Sequence, residues 1–168
     1  MTSETEFTPN GENTRLLRDA FGRFATGVTV VTVGHADGPV AITANSFSSV
    51  SLNPPLVLWS AHRAARRFPY FEAAEHFVVH VLASTQQELC WKVAGDAYCL
   101  RGQGMRESAL GAPVLDGALA RFECRRYAAY DGGDHVIFVG EVLQASLREE
   151  GQALAFFNGD AGTFARDT

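Results

Sequence analysis

Two glycine turns set the limits on how this chain can fold. Asp37-Gly38, within the stretch His35–Gly38, separates the β-branched run Val28–Val33 from Val40–Phe47. Asp131-Gly132-Gly133 separates Ala120–Tyr130 from Val136–Leu147. Glycine and aspartate tolerate the backbone of tight hairpin turns, so the flanking runs are expected to pair antiparallel. Leu56–Ser60, His76–Leu82 and Ala153–Asn158 have strand composition as well. Val136 to Leu143 is apolar on both faces. One face of such a strand can fill a barrel interior, and the other needs cover from helices or a second subunit. The predicted architecture is mainly β: an antiparallel β-barrel with a few helices, working as a dimer.

The helices are expected at the periphery. Asn13 or Thr14 can cap one with an apolar face of Leu16, Leu17, Ala20, Phe21 and Phe24, ended by Gly27. Pro69 suits the first turn of a short helix through Ala74. Ser84 with Gln87 reads as a capping box for a helix to about Ala94. Gly95–Pro113 is glycine-rich and mixed, and is predicted as a long loop. Residues 1–12 are polar and read as a flexible N-terminal arm, leaving 13–168 as a single domain.

Bulk properties exclude some functions. A chain of 168 residues suits one domain with a sizeable core. Its net charge of −5 argues against a nucleic-acid partner. No apolar run approaches the roughly 20 residues of a membrane span, and the N-terminus lacks a signal-peptide core. The three cysteines, Cys90, Cys99 and Cys124, have no CxxC spacing and suggest neither a disulfide framework nor a zinc site. A cytoplasmic location is expected, with no membrane association. His76 and His80 lie in a predicted strand, which sets them about 13 Å apart, too far to share a metal ion.

Chemistry concentrates in Ala41–Val57, AITANSFSSVSLNPPLV. A β-branched run ends in small hydroxyl and amide side chains, then in a Pro-Pro pair that launches a second apolar run through Trp59. Small side chains let a ligand approach the backbone closely enough to meet peptide N–H groups. Just beyond, Ala61–Arg67 is a basic loop whose arginine forks suit a phosphate.

FATGVTVVTVG (24–34), TANSFSSVSLNPPLVLWS (43–60), APVLDGALARFEC (112–124) and GDHVIFVGEV (133–142) together resemble the flavin reductase family with the FMN-binding split-barrel fold. The resemblance spans roughly residues 14–164. It implies a dimeric Greek-key split barrel that binds FMN or FAD and takes hydride from NADH or NADPH. It also implies a separate monooxygenase that receives the reduced flavin. Two alternatives share the fold: a flavoprotein that retains its FMN and reduces another acceptor, and a flavin-binding module without hydride transfer.

Carried onto this chain, the resemblance puts Thr43, Ala44, Asn45 and Ser46 against the isoalloxazine or ribityl chain. Ser49, Val50 and Ser51 are expected at the ring edge or phosphate, with Ser60 and Ala61 beside them. Arg63 or Arg66 is expected to hold the phosphate, with Gln86 a weaker candidate and Arg67 left on the surface. His80 is expected to border the flavin. His135, in Gly-Asp-His, is the catalytic candidate, expected to orient the nicotinamide through its carboxamide rather than transfer a proton. An aromatic common in the family's C-terminal segment is Ala161 here.

Overall fold

The computed structural model of the chain describes residues 4–164, so the first three residues of the expected arm and the last four of the expected domain lie outside the described residues. Helix α1 (Thr14–Gly22) and a short strand β1 (Thr26–Gly27) precede two hairpins. These are β2 (Thr29–Val33) with β3 (Val40–Ala44), and β4 (Ser48–Leu52) with β5 (Pro55–His62). Helix α2 (Phe68–Ala73) and strand β6 (His76–Val81) follow. A 3-10 turn (Ser84–Gln86) then leads into helix α3 (Gln87–Gly95). A small pair, β7 (Arg106–Glu107) and β8 (Pro113–Val114), closes the segment expected as a long loop. The chain ends in a long hairpin, β9 (Ala120–Gly132) with β10 (His135–Leu147), and a short one, β11 (Leu154–Phe157) with β12 (Asp160–Thr163).

Seven strands form one antiparallel sheet in the order β3-β2-β6-β9-β10-β5-β4. The sheet curls on itself: Val40 and Ala44 of β3, at one edge, share a core with Val57, Trp59 and Ala61 of β5 near the other. Between β3 and β5 the seam carries a side-chain bridge. The Ser46 hydroxyl accepts the Ser60 N–H at 2.9 Å and donates to the Ser60 carbonyl at 3.4 Å. The expected split barrel is present. Its interior is aromatic, with Trp59 stacked on Phe138 at 5.1 Å and edge-on to Phe71 at 5.2 Å. A second core, built on Val28, Val30, Ala41, Cys90, Val93 and Leu115, lies where α3 covers β2 and β3. The helix thus covers the outer face of β2 and β3, whereas the two-faced run of β10 has no such cover and Leu143 stays exposed.

The structure differs from the expectations at several points, first in α1, which ends at Gly22 rather than at Gly27. Ser48–Leu52, outside every predicted strand, is an edge strand. A register shift between Ser49 and Ser51 puts Val50 at a bulge, which interrupts the alternation by which strands are recognised. The return strand stops at Ala44, three residues early, because Asn45 and Ser46 leave the ladder to reach the seam. Gln86, not Gln87, closes the capping contact, its Oε1 accepting the Ala83 N–H at 3.1 Å. Arg67 is not a surface side chain. It donates to the carbonyls of Val93 at 2.8 Å, Ala94 at 3.2 Å and Ala41 at 3.0 Å, supplying the orphan acceptors at the end of α3 and tying that helix to β3. Asn13 takes the N-cap place of α1, but its amide turns to Asn10 N at 2.9 Å and Thr8 O at 2.9 Å. None of the residues of α1 is buried.

Candidate functional site

Alternation along β5 decides what meets at the seam. Val57, Trp59 and Ala61 point into the core, so Ser60 and His62 share the opposite face. In register on β10, Ser60 faces Ile137 and His62 faces His135. Asn45, Ser46, Ser60, His62 and His135 therefore gather at one end of the barrel. A two-residue turn, Gly133-Asp134, delivers His135, and Gly133 adopts the left-handed φ of +70° that such a tight reversal requires.

His135 Nδ1 lies 2.7 Å from Asp134 Oδ1. An ionised carboxylate can only accept, so Nδ1 carries the proton and the neutral ring keeps a bare Nε2 acceptor. This bond holds the Asp134 carboxyl below its usual range, and His135 and His62 add to the effect whenever they carry charge. His135 is 41% exposed, open to a ligand from the seam.

Beside Asn45 the fold leaves a cavity of about 460 Å³. Phe21 and Phe24 from α1 and its end, Thr26, and Phe156 with Asn158 from the terminal hairpin line it. Its size lies within the range of small-molecule sites, and its flat aromatic walls with an amide at the edge suit a planar heteroaromatic ring. Sequence reading did not select these liners. The available signal was an apolar helix face with no partner to bury it.

The other expected residues divide. Ser46 and Ser60 are joined at the seam, and Asn45 is exposed beside the cavity. Thr43 donates to the Cys90 carbonyl at 3.0 Å, and the Ala44 and Ala61 side chains are buried in the core. The two alanines can offer a ligand only backbone groups. Ser49 and Val50 lie exposed on β4, while the Ser51 hydroxyl accepts the Asn53 N–H at 3.2 Å. Arg63 is paired with Asp131, and Arg66 is exposed.

Two expectations are corrected. His80 is fully buried, its Nδ1 donating to the Val30 carbonyl at 3.0 Å and its Nε2 accepting the Leu115 N–H at 3.0 Å. It packs the second core and has no face for a flavin. Burial, aided by the charge of Arg121, pulls its pKa down to about 4. Gln86 is tied locally by both ends of its amide, Oε1 accepting from Ala83 N and Nε2 donating to the Asp116 carbonyl at 3.0 Å, so it braces the 3-10 turn and keeps a single uncommitted N–H. Among the described residues no cluster of three metal-ligating side chains forms.

A family model described as a flavin reductase like domain matches residues 21–165. The chain is 48% identical over 166 residues to an FMN reductase (NADH), SmoA, of Agrobacterium fabrum, covering 99% of this chain and 95% of that protein. It is 37% identical over 146 residues to HsaB, the reductase subunit of a flavin-dependent monooxygenase of Rhodococcus jostii, covering 86% and 75%. Among solved structures, the flavin reductase component of a bacterial two-component tryptophan halogenase superimposes with a TM-score of 0.83 at 42% identity, covering 92% of this chain and 99% of that one. The NADH:FAD oxidoreductase of Streptomyces globisporus, in complex with NAD and FAD fragments, superimposes with a TM-score of 0.87 at 37% identity, covering 96% and 99%.

Proposed function

The chain belongs to the flavin reductase-like family and is an NAD(P)H-dependent flavin oxidoreductase, and we propose that it releases reduced FMN or FAD to a separate monooxygenase. The observation that carries the reading is the seam itself. Small polar side chains and an aromatic-walled cavity lie at the same end of the barrel as a histidine with an open acceptor.

Stacked on a nicotinamide, a bound flavin supplies the electronic capacity for hydride transfer. The protein's part is to orient and to exclude water. Asn45, Ser46 and the backbone around them offer amide and hydroxyl groups without crowding a planar ring. Arg66 has no hydrogen-bond or ion-pair partner among the described residues and reaches a phosphate more readily than Arg63, which Asp131 already holds. His135 Nε2 accepts the carboxamide N–H of the nicotinamide.

NADH rather than NADPH is the donor in this reading. A 2′-phosphate asks for uncommitted cations, and of four arginines that could supply them three are paired with protein oxygens and one is packed on an aromatic ring. Arg101 lies over the Tyr98 ring at 4.2 Å, and Arg106 is 3.7 Å from Asp116. Arg125 is 2.6 Å from Glu141, and Arg126 bonds the Glu72 carbonyl.

The assembly is a homodimer. Leu16, Leu52, Tyr127, Tyr130 and Leu147 are exposed apolar or aromatic side chains that no described residue covers. Three free thiols suit the reducing cytoplasm, and among the described residues no helix is long and apolar enough to cross a membrane.

NADH oxidation by the purified protein under air, with and without added FMN or FAD, tests the reading. A colourless protein whose rate saturates with free flavin supports it; a persistently yellow protein indifferent to added flavin refutes flavin release. His135→Ala is expected to raise KM for NADH about 3- to 10-fold, the worth of one hydrogen bond, with flavin affinity unchanged.

A further inference from the structure

His62 closes β5 directly opposite His135, the first residue of β10. The two rings meet edge to face, with centroids 5.0 Å apart and planes at 72°. One carboxylate lies between them. Asp134 Oδ1 accepts from His135 Nδ1 at 2.7 Å, while Asp134 Oδ2 sits 3.6 Å from His62 Nε2. The backbone of Asp134 is held at the same strand end, its carbonyl accepting the Arg63 N–H at 2.9 Å.

Resting on the reading that His135 meets the nicotinamide, we propose that His62 is a positioning residue for NADH. It packs against the His135 ring and stands beside the far oxygen of Asp134, fixing the ring plane and the tautomer that present Nε2 to the carboxamide. The need for such a residue follows from exposure. The Asp134 side chain is 76% exposed, and a single hydrogen bond to an exposed carboxylate competes with water and orients little. A histidine ring held by that bond alone would turn about two side-chain torsions, exchanging which nitrogen faces the ligand. The His62 ring pressed on one side, with the Asp134 bond on the other, restricts that freedom. His62 does this from the sheet face outside the core, with 46% of its side chain exposed, so shortening it opens no interior cavity.

The test is a double-mutant cycle on the full chain, reading kcat and KM for NADH at saturating flavin. His62→Ala is expected to raise KM for NADH about 3- to 10-fold, the size of coupling typical of contacting residues, with kcat within about two-fold and KM for flavin unmoved. Placed on His135→Ala, the same change should add nothing. The ring nitrogens of His135, observed by NMR, should show the Nδ1–H form in the parent and a mixture of tautomers in His62→Ala. A parent-like KM in His62→Ala, or unaltered His135 nitrogens, overturns the proposal. Additive effects overturn it too, by showing that His62 meets the nucleotide independently. If His135→Ala itself leaves KM unchanged, the nicotinamide contact is at fault and the proposal falls with it, a failure distinct from the other three.

Discussion

Acid should loosen this protein through one buried histidine. His80 has no exposed surface and is fixed as the Nδ1–H tautomer by Val30 and Leu115, so protonating Nε2 breaks the Leu115 bond and buries a charge near Arg121. Its pKa falls from 6.5 in the open chain to about 4 in the fold. Because the folded value is the depressed one, the unfolded chain binds the proton more readily. The neutral ring's stabilising contribution is complete above 6.5 and is lost as pH falls from there through about 4. Linkage gives a loss of about 2 kcal/mol at pH 5 and about 3 kcal/mol at pH 4. His80→Gln keeps an acceptor for Leu115 but cannot take the proton, and at neutral pH it should cost about 1–3 kcal/mol for the imperfectly paired Val30 carbonyl. Urea unfolding of both proteins at equal concentration, from pH 7.5 to 4.5, isolates the effect, since every other titrating group cancels in the difference. The parent's advantage should shrink by about 2 kcal/mol by pH 5. Parallel stability curves would falsify the assignment of a buried, neutral His80.

Two further changes probe the scaffold. Gly140→Ala would bring a Cβ within 2.5 Å of Phe77 Cζ and 2.9 Å of Cys124 Cβ in the barrel core, so the urea midpoint should fall by an amount equivalent to about 1–3 kcal/mol; an unchanged midpoint would show that Phe77 yields freely. Arg67→Ala should release α3 from β3 and expose its last carbonyls, costing about 2 kcal/mol or more, with amide exchange quickening in Gln87–Gly95 before the rest of the barrel.

Much of the fold was legible because its turns are chemically explicit. Asp37-Gly38 and Gly132-Gly133 mark their hairpins with residues few other conformations favour, and the runs beside them pair as composition suggests. Strand β4 was not legible: its bulge at Val50 and its exposed serines erase the period of two. The site divides for a similar reason. Asn45, Ser46, Ser60 and His135 were recognisable in a local motif, and the structure gathers them. His80 looked like a ligand-facing polar residue, because the sequence does not say which face of β6 meets α3 and the β8 segment. His62 and Asp134 became visible only with the register of β5 on β10, a pairing of residues 73 positions apart.

Helix α1 buries none of its nine residues, and its visible tether is the bond from Asn158 N–H to the Gly22 carbonyl at 2.8 Å. A helix of that length is marginal alone in water, because nucleation costs more than two turns of hydrogen bonds return. Its order is therefore on loan from whatever packs on Leu16 and its neighbours. Two of its residues or near neighbours, Phe21 and Phe24, also wall the cavity beside Asn45. If that cover on Leu16 is the second subunit of the proposed homodimer, dilution would be felt at the ligand site before it was felt in the barrel, and subunit concentration would become a variable of the site.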